Sequence, residues 1–332
     1  MREGLKRLSA FVRLGRPRFL MGGVVLYAGG SLLAASLDSM NWRAWIAGQC
    51  AITATQLMTH YANDYFDVEA DRFNALSTRW SGGSRVLVDG PLSPRVARDA
   101  AIVLLLLALA IDSGILLGVL GASRGRSMSA GAMLLLALAL SWSYSGPPLR
   151  LHARGFGALA AAIVVGGLTP LIGFAMQGGD VTTSHAIRWG VRPHTPIACV
   201  APLVVAQSAL ILILDLPDAP SDAEGGKRTL AVRLGERTTS RVALGLIALT
   251  YAAALVLVSV NAVRWAMLAT MPIGLLAAHA LHRERWNAPA GSSTLTSRAV
   301  VWFAALSSAL LVGAASRGVM GGEDKLFFAG LL

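Results

Sequence analysis

The stretch Asn63-Asp64-Tyr65-Phe66-Asp67-Val68-Glu69-Ala70-Asp71-Arg72 follows directly on an apolar segment, 42–62. Asn63, Asp64, Asp67 and Asp71 recur at helical spacings of three, four and eight, so they share one helix face. Acids gathered this closely repel one another unless a cation sits among them. Hard oxygen donors of this kind suit Mg²⁺, which takes one or two carboxylates and leaves its other positions to water and phosphate. The plain alternative is a solvated helix end. Against it stands a second acidic run, Asp215-Leu216-Pro217-Asp218-Ala219-Pro220-Ser221-Asp222, which also closes an apolar segment. The two runs follow the second and sixth apolar segments, and cations trail both. The expectation is that they face each other and hold a diphosphate between metal ions. Pro217 is expected to break the helix between Asp215 and Asp218, which weakens the spacing argument there.

Around these runs the chain is 55% hydrophobic and 14% charged over 332 residues, with mean hydropathy +0.59. Soluble domains carry about 25% charged residues. The composition indicates an all-α polytopic membrane protein, read as one domain over 1–332. A helix needs about 20 apolar residues to cross the hydrocarbon core. Nine segments qualify: 19–36, 42–62, 96–121, 128–145, 155–176, 196–215, 239–260, 263–282 and 298–315. The division of 96–145 rests on the polar break Ser123-Arg124-Gly125-Arg126. The basic segment 1–18 before the first span superficially matches a signal peptide. Its apolar run is long and eight more spans follow, so the first span is read as uncleaved.

The net charge of +11 does not indicate nucleic acid, because the basic residues lie in short loops between apolar spans. Anionic lipid headgroups and a phosphorylated substrate explain them better. With the N-terminus inside, only Arg43, Arg124, Arg126, Arg188, Arg192, Arg264, Arg317 and Lys325 of the 29 basic residues fall outside. Positive-inside bias thus predicts nine spans, N-terminus in, with both acidic runs on the cytoplasmic side of the cell membrane. Cys50 and Cys199 lie in apolar spans with no metal or redox spacing, and both are expected to be buried.

Loops 63–95 and 217–238 are the expected catalytic loops. The first contains Ser81-Gly82-Gly83-Ser84-Arg85, where paired glycines would let backbone approach a ligand, or make an ordinary turn. The second continues Gly225-Gly226-Lys227-Arg228, and adjacent cations behind three aspartates favour phosphate binding over a simple topological signal. Asp112, mid-span, is expected to face the bundle interior. Trp142 and Tyr144 fit an interfacial aromatic belt, with Tyr144 alternatively lining a substrate chamber. Gln207, eight residues before Asp215, is expected to point into the same cavity. His60, one turn before Asn63, is read as structural. Pro170 and Pro202 are expected to kink their helices.

At these residues the chain resembles the UbiA superfamily of intramembrane prenyltransferases. Asn63-Asp64-x-x-Asp67-x-x-x-Asp71 resembles the first Asp-rich motif, and Asp215-x-x-Asp218-x-x-x-Asp222 the second. Gly226-Lys227-Arg228-Thr229-Leu230-Ala231-Val232-Arg233-Leu234-Gly235, Tyr144-Ser145-Gly146-Pro147-Pro148-Leu149 and Arg13-x-x-Arg16-Pro17-Arg18 are similar to further family segments. Gly82-Gly83-Ser84-Arg85-Val86-Leu87 looks most like the 1,4-dihydroxy-2-naphthoate, menaquinone-pathway branch. That branch often has Asn before the second motif, where Leu214 stands here. The resemblance implies a nine-helix bundle around a central chamber, capped by cytoplasmic loops and open sideways to lipid. It implies two Mg²⁺ ions, one held by Asp64, Asp67 and Asp71 with Asn63, the other by Asp215, Asp218 and Asp222. Arg72, Arg85, Lys227 and Arg228 would neutralise the diphosphate of an allylic prenyl donor. Asp67, Asp71, Asp218 and Lys227 form the expected catalytic core, and an aromatic quinone-precursor ring is the expected acceptor. An acceptor-independent intramembrane terpene cyclase and, more remotely, a transporter remain open alternatives.

Overall fold

The computed structural model describes residues 2–35, 37–120, 124–181, 196–259, 265–283 and 286–319. Among these, nine helices are long enough to cross a bilayer. They are α2 (Pro17–Ala34), α3 (Trp42–Phe73), α4 (Pro94–Leu116), α5 (Arg124–Ser145), α6 (Gly157–Met176), α7 (Pro196–Glu224), α8 (Glu236–Ser259), α9 (Trp265–His282, interrupted at Thr270) and α10 (Pro289–Val319). All but α3 are also strongly apolar; Gln49, Gln56, Thr59 and His60 lower its hydropathy. The remaining long element, α1 (Arg2–Leu14), is a short amphipathic helix. It buries Ala10 and Leu14 while Leu5, Leu8 and Val12 stay exposed beside its basic residues, as suits a helix lying in the headgroup layer.

The side chains of Arg124, Arg126 and Arg317, and also residues Arg188, Arg192, Arg264, Arg285 and the end of the chain from 320, Lys325 included, lie outside what is described. Cys199 is buried, but Cys50 is exposed on the outer face of α3. The expectation that both are buried fails for Cys50 because half of a peripheral helix faces lipid, where an apolar thiol is equally at ease. Asp112 is fully buried in the bundle interior, away from the chamber, and has no hydrogen-bond partner among the described residues.

Helix packing positions the site. α7 is central: it packs on α3, α6, α8 and α10. α2 packs on α3, α6 and α10, while α4 covers α3 and α5 from outside. Close approach comes from small residues, as in other membrane bundles. A Cβ at Gly30 on α2 would overlap the carbonyl of Pro170 on α6, and one at Gly173 on α6 would overlap the carbonyl of Tyr27. Backbone cannot yield as a side chain can. Gly30→Ala is therefore expected to destabilise the bundle by about 1–3 kcal/mol, read as a lower Tm in detergent. An unchanged Tm would show that α2 and α6 tolerate separation.

The prolines did not break their helices. Pro170 lacks an N–H, and α6 widens ahead of it into a π-helical turn, Ala162–Leu168. Thr169 Oγ1 donates to the carbonyl of Val164 at 2.9 Å. Helix α7 runs unbroken through Pro202, Pro217 and Pro220 to Glu224, which corrects the expected break at Pro217. A proline forfeits one backbone bond and crowds the carbonyl four residues back. Here Leu212, Ile213, Leu216 and Pro217 are all buried, so tertiary packing holds the helix through that local loss. The first acids lie on one helix face as their spacing implies: α3 runs on to Phe73, through the first eleven residues of the expected loop 63–95.

Candidate active site

Six elements wall a chamber of about 530 Å³: α2, α3, α5, α6, α7 and α10, with residues 74–83 closing its acid-bearing end. Below the acids the wall is mostly apolar, including Ile52, Leu134, Val164, Ile172, Leu210 and Phe303. Met21 on α2 and Val301 on α10 both line the chamber and are 61% and 54% exposed, which marks its lateral opening. Farther along, α2 and α10 close up: a Cβ placed on Gly29 would lie within 3.5 Å of Leu310 and Leu311.

The two acidic runs face this chamber from α3 and α7. Asn63, Asp67 and Asp71 line one wall, and Asp215, Asp218 and Asp222 the other. Because α7 stays helical, the second set shares a face as the first does. Lys227 joins them: its Nζ lies 2.9 Å from Asp67 Oδ2 and 3.0 Å from Asp222 Oδ1. Burial opposes its charge, but the two carboxylates outweigh that and raise its pKa above the ordinary lysine value. The lysine is held by its loop. Its N–H donates to the carbonyl of Asp222 at 2.8 Å, Gly226 turns with φ of 75°, and Thr229 caps the next short helix.

Segment 74–85 latches the two walls together. Asn74 Nδ2 donates to Asp218 Oδ1 at 2.8 Å and the Gly82 N–H to Asp218 Oδ2 at 2.9 Å. Gly82 and Gly83 have φ of 78° and 72°, and a Cβ on Gly83 would overlap the Asp71 carboxylate. The paired glycines thus serve close approach to the acids. Asn63 Nδ2 donates to Asp67 Oδ2 at 2.6 Å and to Ser145 Oγ at 3.0 Å. Tyr144 lines the chamber and stacks on His152, with centroids 4.9 Å apart and planes 9° apart.

Four expected site residues stand elsewhere. Asp64 is buried off the chamber wall, where Arg16 and Ser84 engage its two oxygens. Arg72 is exposed and pairs with Glu69 at 3.0 Å. Arg228 is exposed, its backbone N–H bonded to the carbonyl of Ala153. Arg85 is a strut: Nη1 donates to the carbonyls of Asp71 at 2.6 Å and Asn74 at 3.1 Å, while the rest of the guanidinium pairs with Asp89.

Sequence reasoning missed three others. Arg16 lines the chamber between α1 and α2 and reaches Asp64 and Asn63; it sits in the Arg13-x-x-Arg16-Pro17 segment, which carried no assigned role. His152 Nε2 lies 3.2 Å from Asp215 Oδ1. Burial opposes charge on that imidazole, yet the adjacent Asp215 carboxylate prevails and raises its pKa to about 9. Asn74 had no signal beyond its place after α3.

Residues 24–297 match the UbiA prenyltransferase family, over four fifths of the chain. The chain belongs to the UbiA prenyltransferase family. Its UbiA relatives include the 1,4-dihydroxy-2-naphthoate octaprenyltransferase of Mycobacterium tuberculosis, 27% identical over 81% of this chain and 85% of that one. The digeranylgeranylglyceryl phosphate synthase of Ignicoccus hospitalis is 29% identical over 82% of this chain and 80% of its own. Among solved structures, a UbiA homologue from Archaeoglobus fulgidus bound to GPP and Mg²⁺ superposes with TM-score 0.63 at 19% identity. The match covers 92% of this chain and 99% of that one, and it establishes the shared fold. The protein is thus an integral membrane prenyltransferase.

The wall chemistry fits Mg²⁺. All ligand candidates are hard oxygens, and Asp222 Oδ2 is a buried carboxylate oxygen with no hydrogen-bond partner among the described residues. Among the described residues no three His, Cys, Asp or Glu side chains already converge on one point.

Proposed function

We propose that this protein transfers an isoprenyl group from an allylic prenyl diphosphate to a hydroxylated aromatic ring, within the membrane and at its cytoplasmic side. The observation that carries this reading is the Lys227 bridge. Carboxylates from two helices converge on one buried cation at the polar end of an otherwise apolar chamber. Asn63, Asp67 and Asp71 would hold one Mg²⁺, and Asp215, Asp218 and Asp222 a second. When bound, these ions supply Lewis-acid neutralisation of the diphosphate leaving group.

The chain's own groups do the rest. Lys227 and Arg16 place positive charge where the leaving oxygens develop negative charge, an electrostatic contribution that costs no reorganisation. The allylic C–O bond breaks, and the isoprenyl chain lies along Leu134, Val164, Ile172 and Leu210. Helix walls and the 74–83 cap exclude bulk water, so C1 meets the ring rather than water. Tyr144, stacked flat on His152, lines the chamber. The ring's π electrons form the C–C bond to C1, the C–O electron pair leaves with the diphosphate, and the displaced ring proton passes to that diphosphate, which restores aromaticity. Asp64, Arg85 and the latch residues keep the acids in place.

The test is diphosphate release by the purified protein in nanodiscs with Mg²⁺, using donors from geranyl to long polyprenyl diphosphate. Each is run with and without 1,4-dihydroxy-2-naphthoate or homogentisate. Release that requires the aromatic acid, with a prenylated product by mass spectrometry, is the expected result. Acceptor-independent release yielding a cyclic hydrocarbon or alcohol would replace the transferase reading with a cyclase.

A further inference from the structure

The chamber below the acids contains polar groups that an isoprenyl chain cannot use. Gln56 lies eight residues before Asp64 on α3, and Gln207 eight residues before Asp215 on α7. Both line the chamber, about 12 Å along the helix from the acids toward the membrane interior. Gln207 is only 5% exposed. The Oε1 atoms of both are buried without a hydrogen-bond partner among the described residues, as is His60 Nε2 one turn above Gln56. Gly23 on α2 makes room for this arrangement, because a Cβ there would overlap the Gln56 amide.

Two unpartnered amide oxygens and an unpartnered imidazole nitrogen on one cavity are costly in a site that excludes water, since each forfeits hydration for nothing. Polar groups inside a membrane bundle mark a substrate path. The matching ligand must bring donors. Next to His60 stand Phe19, with ring centroids 5.8 Å apart, and Trp80, which meets Phe19 edge-on at 5.6 Å. Phe19, His60 and Trp80 all line the chamber. This is a wall for a flat ring.

We infer that Gln56, His60 and Gln207 form the acceptor subsite, taking hydrogen bonds from the hydroxyl groups of an aromatic ring that packs against Phe19. The assignment rests on the transferase reading above and deepens it: a cyclase would need only apolar walls here. It also separates the two substrates along the chamber, the diphosphate between the acids and the hydroxyarene between α2, α3 and α7.

The experiment uses the full-length protein in nanodiscs with Mg²⁺, geranylgeranyl diphosphate and 1,4-dihydroxy-2-naphthoate or homogentisate. Gln56→Leu and Gln207→Leu preserve side-chain bulk while deleting the amide. Each is expected to raise the acceptor KM about tenfold or more, with the donor KM unchanged as an internal check on folding. Gln207→Asn, which keeps the amide but draws it back, is expected to fall between wild type and Gln207→Leu. Wild-type turnover together with unchanged acceptor KM in both leucine variants would overturn the subsite and leave the transferase standing. Diphosphate release by the wild type that ignores every acceptor would overturn the transferase reading and the subsite with it.

Discussion

Asp67→Ala is expected to lower turnover about 10³-fold or more while the protein still inserts and elutes as the wild type does. Asp67 is the carboxylate on which the site converges. It accepts from Asn63 at 2.6 Å and from Lys227 at 2.9 Å, and it faces Asp222 across the chamber through that lysine. Removing it withdraws a proposed metal ligand, leaves the Asn63 amide on Ser145 alone and leaves Lys227 on Asp222 alone. The bundle does not depend on it, because helix packing comes from the apolar and glycine contacts farther into the membrane. Asp218→Ala should behave alike and should also loosen the cap, since Asp218 receives Asn74 and Gly82. Diphosphate release at varied Mg²⁺ is the measurement. Wild-type turnover in either variant would remove the metal assignment.

Lys227→Ala is expected to reduce kcat/KM for the donor about 10²-fold or more, and to make stability depend on Mg²⁺. The lysine is the buried charge that reconciles Asp67 with Asp222, and removing one partner of such a pair costs about 3–5 kcal/mol. A divalent cation can replace that charge, so the Tm lost in chelator should largely return when Mg²⁺ is added. Loss of the leaving-group contact cannot be restored this way, so turnover stays low. Lys227→Arg keeps the charge but not the compact ammonium that fits between two carboxylates, and it should recover stability better than rate. An unchanged donor KM together with an unchanged kcat in Lys227→Ala would take the lysine out of the site.

The spans, the acidic runs and the cation behind the second run were legible in the sequence because each is a local property. An apolar segment of about 20 residues has one stable arrangement in lipid, a helix with its backbone bonds satisfied internally. Carboxylates three and four residues apart on such a helix must share a face. The membrane therefore converts sequence periodicity into fold with few alternatives, and Asn63, Asp67, Asp71, Asp215, Asp218, Asp222 and Lys227 all reach one chamber.

Which charged residues look inward was not a local property. Arg72 and Arg228 follow the acids as closely as Lys227 does, yet they stand in solvent-exposed positions. Only the turn at Gly226 and the cap at Thr229 direct the lysine inward. Asp64 belongs to the same motif as Asp67, but the return of Arg16 and Ser84 from distant parts of the chain claims both its oxygens. His152 meets Asp215 across 63 residues, and Asn74 meets Asp218 across 144. Spacing along a helix fixes the angle of a side chain about its own axis; its partner depends on which helix stands opposite. The same limit explains Pro217, whose local preference to end a helix was overridden by the packing of α7 on α3, α6, α8 and α10. The sequence by itself determined an all-helical membrane bundle and two acid-bearing helix ends, because lipid leaves the backbone no other choice. Only the tertiary structure decided which acids line the chamber and which one Arg16 and Ser84 hold away from it, because that depends on contacts between segments far apart in the chain.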